Sequence, residues 1–457
     1  VTADRRRLHD PSDQPERAYL VGLILPDTDI DPRDPLGELR GLAESAGAVV
    51  VGEMVQKRAH VDSGFYIGRG KAAEVAAAVE AAEADVVIFD NELSPGQIRD
   101  LEEVVKVKVI DRSVLILDIF AKRARTHAAK LQVELAQMEY TFPRLTRMWS
   151  HLERVGGGGA GAGGAAGGAG GGAGAGIGTR GPGEQQLEID RRIVKRKVSQ
   201  LKHRLEEIAN RREREVRSRK GEFTVGLVGY TNAGKSTLMN SLTGAGTYAA
   251  DQLFATLDTK TRRWDVGHGS SALLSDTVGF VRDLPHHLVA SFKATLEEAT
   301  HADLLLHVVD ASHPRAEQQM EAVESVLSEL HADDRQVLLV FNKIDAIEDA
   351  GRLAGLRTLY PEAVGISAKT GRGLAELTAE VYRRMNGRPV EVEVEGDVAD
   401  GRALSVLHST GEIVDRHYDG SAFRLRMRVA ERELPRLYEL NGGTTVRRLD
   451  GADARSA

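Results

Sequence analysis

Along the first 120 residues, short apolar runs alternate with longer stretches of helix-forming composition. Ala18 to Leu25, Ala48 to Val51, Asp85 to Phe89 and Lys108 to Ile110 have the length and β-branched content of strands. Between them, Lys71 to Glu83 and Ser94 to Val105 are rich in Ala, Glu and Val and long enough for helices. Such a βαβα alternation predicts a parallel sheet, so residues 1–120 are expected to form an N-terminal α/β domain.

The period then changes. Leu135, Met138, Phe142, Leu145, Trp149 and Leu152 recur at alternating threes and fours, the seam of a coiled coil. The stripe returns at Leu187, Val194, Val198, Leu201, Leu205 and Ile208. A lone helix in water would leave such a stripe exposed, so the two are expected to cover each other as an antiparallel helical hairpin over 121–220. Pro143 lacks a backbone donor and crowds the preceding turn, which predicts a kink beside Phe142.

Residues 156–176 are Gly and Ala alone, a lengthened linker within a hairpin tip over 156–183. Ile177 to Glu184 reads Ile-Gly-Thr-Arg-Gly-Pro-Gly-Glu, a turn-rich segment around Arg180 whose backbone can approach a partner closely. Beyond Pro389, Val390 to Val394 and Arg424 to Val429 alternate like strands around Arg402 to Leu407, predicting a small C-terminal α/β domain over 389–457.

A chain of 457 residues exceeds what one core supports, in keeping with several domains. With 41% hydrophobic and 28% charged residues it has the balance of a soluble protein, and no apolar run approaches the roughly 18 residues of a membrane span. The polar, basic start from Thr2 to Arg7 lacks the apolar core of a secretory signal, so a cytoplasmic protein is expected. A monomer in solution is expected besides. The absence of cysteine excludes disulfides, thiolate metal sites and a thiol nucleophile.

Charge is distributed unevenly. Residues 121–220 hold 21 Lys and Arg against 10 Asp and Glu, a balance of +11 that leaves −18 for the rest of the chain. A basic arm on an acidic chain suits contact with a phosphate backbone, with Arg180, Arg191, Arg192 and Lys195 as candidate RNA-contacting residues. A solvated helix face has the same composition.

The chemistry-bearing motifs follow Lys220. The apolar run Phe223 to Val228 leads directly into Gly229-Tyr230-Thr231-Asn232-Ala233-Gly234-Lys235-Ser236, which fits G-x-x-x-x-G-K-[ST], with Thr237 in the helix that follows. Glycines let successive N–H groups face phosphate oxygens, Lys235 neutralises β/γ-phosphate charge, and Ser236 can ligate Mg²⁺. Next, Asp276-Thr-Val-Gly279 closes the run Leu273 to Asp276. There Asp276 can hold a metal-bound water and Gly279 can offer its N–H to a γ-phosphate.

Asn342-Lys343-Ile-Asp345 follows the run Val337 to Phe341 and selects the base. A buried Asp345 carboxylate accepts from N1–H and the 2-amino group of guanine, and adenine would leave it unpaired. Ile366-Ser367-Ala368-Lys369 ends a further strand and is placed to meet guanine O6 through its backbone. Four motifs in this order imply a guanine-nucleotide P-loop enzyme over 221–388, with GTP or GDP and Mg²⁺ as ligands and with Lys235 and Gly279 at the reacting phosphate.

The motifs, together with Gly-Thr-Arg-Gly-Pro-Gly-Glu at the hairpin end, Phe254-Ala-Thr-Leu-Asp and Asp276-Thr-Val-Gly-Phe, resemble the HflX family of the Obg-HflX superfamily, TRAFAC-class GTPases. The likeness covers nearly the whole chain. It implies binding to the large (50S) ribosomal subunit, with the tip near the peptidyl-transferase region of 23S rRNA, and splitting or rescue of stalled 70S ribosomes under stress. It also implies Thr256 as the switch threonine that closes onto Mg²⁺. Departures are Gln185 where relatives commonly carry Thr, Thr259-Lys260 where they carry Pro-Thr, and the Gly/Ala insertion.

Phe280 stands where Ras-like enzymes place a water-orienting glutamine, so intrinsic hydrolysis is expected to be slow. Two substitutes are open: a partner completes the site, or a monovalent cation such as K⁺ near Asn232 supplies positive charge. Hydrolysis could drive release from the ribosome, or GTP could merely lock a working conformation. An RNA-remodelling ATPase is disfavoured by Asp345. Gly64 to Lys71 imitates a phosphate loop without its spacing and is expected to be a structural turn.

Overall fold

The computed structural model describes residues 15–26, 30–140, 182–218, 222–244, 254, 260–267, 270–282, 301–330, 332, 335–347, 349–387, 389–440 and 444–449. The N-terminal elements run β1 (Arg17–Ile24), α1 (Gly37–Ser45), β2 (Val49–Lys57), α2 (Arg69–Ala81), β3 (Val86–Phe89), α3 (Pro95–Val105), β4 (Lys108–Asp111) and α4 (Arg112–Arg123). The four strands form an all-parallel sheet of order β2-β1-β3-β4, as the alternation predicts. Ala18 and Leu20 of β1 pack into one core, Tyr19, Val21 and Leu23 into another, so helices cover both faces.

Two helices in this region are not evident in the sequence pattern. The α4 segment reads Ser-Val-Leu-Ile-Leu-Asp-Ile-Phe, apolar almost all round because it is buried almost all round, which erases its period. The α1 segment is short and carries two glycines. Sequence cues elsewhere hold locally: Ser94 and Gln97 form a reciprocal cap at α3, at 2.9 and 3.3 Å. The segment Gly64 to Gly68 is a turn pinned by Asp62, whose Oδ1 accepts from the N–H groups of Gly64 and Phe65, both at 3.0 Å.

A helix over 127–140, α5, follows. Helix α4 runs through residue 120, and α5 inserts Ala129, Val133, Ala136 and Tyr140 into the N-terminal core. The N-terminal core therefore also takes in side chains of α5. Tyr140 donates its hydroxyl to Asp111 Oδ2 at 2.5 Å, tying α5 to the end of β4.

The other face of α5 meets α6 (Pro182–Ser218). Leu131 and Leu135 pack on Leu201, with Met138, Val198, Leu205 and Ile208 around them, so these stretches of the two stripes cover each other. Lys197–Glu134 (2.5 Å) and Lys202–Glu139 (2.8 Å) flank the seam. The expected positions Phe142 to Leu152, Pro143, the Gly/Ala tract and Arg180 lie outside the described residues.

The next unit comprises β5 (Phe223–Val228), α7 (Lys235–Thr243), β6 (Lys260–Gly267), β7 (Ser270–Asp276), β8 (Leu304–Asp310), α8 (Ala316–Glu329), β9 (Gln336–Asn342), α9 (Ala350–Leu359), β10 (Val364–Gly365) and α10 (Leu374–Asn386). Its six-stranded sheet has the order β10-β9-β8-β5-β7-β6, parallel except for the β6/β7 pair. The four motifs thus emerge at the carboxyl ends of β5, β7, β9 and β10, along one edge of the sheet, where open α/β folds bind ligands.

The C-terminal unit is β11 (Pro389–Asp397), α11 (Gly401–Thr410), β12 (Gly411–Asp419), β13 (Ala422–Ala430), α12 (Leu434–Tyr438) and β14 (Thr445–Arg448). This βαββαβ order with an antiparallel sheet β12-β13-β11-β14 is the split-βαβ, ferredoxin-like arrangement. Among the described residues no helix is long and apolar enough to cross a membrane.

Leu201 is the most enclosed α6 residue at the seam, 3% exposed. Leu201→Ala is expected to weaken the docking of α6 by about 2–5 kcal/mol. Urea unfolding followed by helical circular dichroism checks this, and an unmoved midpoint would mean that the seam contributes nothing.

Candidate active site

The loop after β5 depends on two glycines. Gly229 sits at φ +151°, where a Cβ would lie 2.2 Å from the Val308 carbonyl of β8. Gly234, at φ +92°, begins α7 and leaves no room for a Cβ beside Asn342 Nδ2, 2.3 Å away. Lys235 curls back over the loop, and its Nζ donates to the carbonyls of Gly229 (2.9 Å) and Tyr230 (2.8 Å). Burial pulls the Lys235 ammonium down to about 8, with the Asp276 carboxylate opposing that shift.

The second motif closes onto the first. Ser236 Oγ donates to Asp276 Oδ2 at 2.7 Å, bringing the two expected metal-binding oxygens together. Thr277 Oγ1 donates to the Leu227 carbonyl at 2.6 Å, and Thr231 N–H donates to the Phe280 carbonyl at 2.7 Å. Phe280 N–H in turn donates to the Gly229 carbonyl at 3.2 Å. Between these ties, Gly279 lies so close to the loop that a Cβ there would be 2.9 Å from Thr231 Cγ2 and 3.0 Å from Lys235 Nζ. The Phe280 ring is buried with Val228, Tyr230, Leu305, Val323 and Leu327, packed in the core.

On the base side, Asn342 joins three motifs. Its Nδ2 donates to the Ala233 carbonyl at 2.8 Å, and its Oδ1 accepts from Ala368 N–H at 3.0 Å. Ser241 of α7 adds a bond to the Ala368 carbonyl at 2.7 Å. Of the backbone donors in the turn expected to meet guanine O6, Ala368 N–H is already engaged, so a base contact from it would be shared with Asn342. Lys343 takes a left-handed conformation (φ +60°) and pairs with Asp310 at 2.8 Å.

Asp345 is not buried as expected. It lies exposed in a short 3-10 turn, Ile344–Ala346, so its exclusion from water would have to come from the bound base. Ser367 is fully buried and holds the following turn by accepting from Thr370 N–H at 3.1 Å, whereas Lys369 is exposed. Asn232 is exposed with φ +61°. Thr256 lies outside the described residues, as does the side chain of Arg191; Arg192 and Lys195 are exposed on α6.

Sequence spacing misses a polar network that joins the N-terminal domain to this site. Tyr230 of the phosphate loop donates its hydroxyl to Glu38 Oε1 (2.9 Å) and accepts from Arg282 N–H (2.7 Å). Asp90 holds Arg112 at 2.7 Å and Arg282 at 2.9 Å, and Arg112 also bonds the Arg282 carbonyl and Glu38. Burial pushes the Asp90 carboxyl upward while the two guanidiniums pull it back, and burial followed by Glu38 raises the Tyr230 phenol. Partners up to 192 positions apart leave no periodic trace in the sequence. His307 of β8 is likewise unannounced: it is buried beside Lys235 with no partner for Nε2 among the described residues, and burial and the lysine charge hold it down to about 4.

Three family models match the chain in tandem: a GTP-binding GTPase N-terminal region over 33–121, a GTP-binding GTPase middle region over 123–219, and a 50S ribosome-binding GTPase over 224–343. GTPase HflX of Escherichia coli K12 is 43% identical over 431 residues, 93% of this chain and 96% of the relative. The chain belongs to the HflX family of GTPases. HflX relatives from Lacrimispora saccharolytica (42% identity, 88% of this chain, 91% of the relative) and Magnetococcus marinus (43%, 88% and 89%) match at similar length. The protein is accordingly an HflX-type enzyme that binds guanine nucleotide and hydrolyses GTP, with a 50S ribosome-binding GTPase domain.

A pH dependence follows from Lys235. Triphosphate binding favours the charged ammonium, so the bound-state pKa lies above the free value of about 8. Its contribution to affinity is complete below about 8 and is lost as pH rises from the free toward the bound value. GTP dissociation constants measured from pH 6.5 to 9.5 should be flat at first and weaken above about 8, with proton uptake on binding there. A flat profile to pH 9.5 would contradict a buried, titrating lysine at the phosphates.

Proposed function

We propose that this HflX-family GTPase associates with the large ribosomal subunit and splits or rescues stalled 70S ribosomes, with its GTP hydrolysis stimulated by the ribosome. In this reading residues 1–120, the basic hairpin 121–220, the GTPase domain 221–388 and the C-terminal domain 389–457 divide the work. The hairpin carries a +11 balance and exposed Arg192 and Lys195 toward 23S rRNA, with the tip nearest the peptidyl-transferase region.

The pocket roles are assigned as follows. Lys235 and the Gly279 N–H meet the γ-phosphate, the loop from Gly229 to Thr237 cradles the phosphates, and Asp345 with the Ser367 to Lys369 turn reads guanine. The hydroxyl of Ser236 and the carboxylate of Asp276, 2.7 Å apart, are the hard oxygen donors that Mg²⁺ prefers, and Thr256 would join them. Such an ion neutralises charge on the β- and γ-phosphates.

The observation that carries ribosome stimulation is Phe280. Its ring is committed to the core, so the residue at the water-orienting position contributes nothing at the phosphate, and protein alone is expected to turn over slowly. The ribosome supplies what is missing, with K⁺ near Asn232 as an additional source of charge.

GTP turnover should rise at least about 100-fold when purified large subunits are added. Equal turnover with and without them would remove ribosome stimulation. Subunit splitting followed by light scattering with a non-hydrolysable GTP analogue separates drive from recycling: full splitting assigns hydrolysis to release alone.

A further inference from the structure

We propose that the side-chain hydroxyl of Thr231, in the phosphate loop, orients the attacking water in the slow hydrolysis that the protein carries out without the ribosome. This inference rests on the pocket roles assigned above, in which Lys235 and Gly279 lie at the γ-phosphate.

Three features of Thr231 point the same way. Its Oγ1 is buried and has no hydrogen-bond partner among the described residues, while the residue as a whole is 6% exposed. Leaving a hydroxyl buried and unpaired is a cost that an isosteric valine would avoid, so the site retains a polar atom it does not use on its own. The position is also fixed: Thr231 N–H is held by the Phe280 carbonyl at 2.7 Å, and the left-handed Asn232 turns the chain immediately after it.

Finally, Thr231 Cα and Cγ2, Lys235 Nζ and the open face of Gly279 converge within about 3 Å of one point, the place a Gly279 Cβ would occupy. The methyl is the group that faces this point in the protein alone, and a rotation about χ1 exchanges it for the hydroxyl, which shares its Cβ. Thr231, with Tyr230 and Asn232, also borders a cleft of about 1390 Å³ whose other wall is formed by the N-terminal domain.

The chemistry asks little of the residue. A threonine hydroxyl can accept a hydrogen bond from the water and donate its own to a γ-phosphate oxygen. The water oxygen bonds to the γ-phosphorus, the bond to the β,γ-bridging oxygen breaks with its electron pair leaving on GDP, and the water's proton ends on the released phosphate or in solvent. Thr231 begins and ends protonated. Its contribution is orientation, which the nearby Phe280 ring cannot provide.

The test is single-turnover GTP hydrolysis by the full-length protein without ribosomes, with GTP and GDP affinities measured in parallel. Thr231→Val keeps the branched shape and removes the hydroxyl; Thr231→Ser keeps the hydroxyl. The expected result is a loss of about 100-fold in hydrolysis rate for the valine variant, nucleotide affinities within about threefold of the parent, and recovery to within about fivefold in the serine variant. An unchanged rate in Thr231→Val overturns the proposal. So does a parallel loss of GTP and GDP affinity, or a serine variant as slow as valine, because either assigns Thr231 to loop packing alone. Lys235→Ala serves as the separate arm: unaltered GTP affinity there would sink the pocket assignment itself, whatever Thr231 does.

Discussion

The nucleotide site depends on Asn342. One carboxamide donates to the phosphate loop at Ala233 and accepts from the Ala368 turn, while Gly234 gives up a side chain to let it approach. The phosphate-binding and base-reading loops come from opposite ends of the domain sequence and share no covalent constraint. Two hydrogen bonds from a buried amide set their separation, in surroundings where a lost partner is costly. The loops bearing Lys235 and Asp345, which end the strands β5 and β9, are joined directly at this residue.

The opposite flank is organised by a second set of contacts. Reciprocal backbone bonds between the phosphate loop and Phe280 bring Gly279 against Lys235, and the Glu38, Asp90 and Arg112 side chains of the N-terminal domain hold Tyr230 and Arg282 just outside. Breaking one partner of so buried an ionic group leaves an uncompensated charge, which makes these contacts all-or-none in character. The N-terminal domain therefore touches the catalytic loop directly, and a change in how the domains sit must reach Tyr230 and Arg282 first.

Much of this was legible in the chain. Strands β1, β3, β4 and β5 and the four strand-end motifs follow from apolar runs of strand length, and the α5 and α6 stripes from threes and fours, because each is a local pattern that burial on one face imposes. What was not legible has a common cause. Helix α4 is buried over most of its surface, and only Asp118 and Lys122 mark its narrow outer face, too little to give a clear period. That α5 serves two cores at once, with Ala129 and Val133 facing one and Leu131 and Leu135 the other, leaves no local mark in the sequence. The Tyr230–Glu38 and Arg282–Asp90 contacts join residues brought together only by the fold. Asp345 was read as buried from its chemistry, yet it is exposed in the protein alone, since the base that would cover it is part of the site.

The most direct measurement of the central claim is competition among GTP, ATP and XTP for the parent protein and for Asp345→Asn. If Asp345 pairs with N1–H and the 2-amino group of a base whose phosphates rest on Lys235, the parent prefers GTP strongly. The variant should then lose at least about 100-fold in GTP affinity and gain affinity for XTP, whose 2-oxo group accepts from the new amide. A variant that binds GTP as tightly as the parent, or a parent that binds ATP equally well, would contradict the shared pocket on which the account rests.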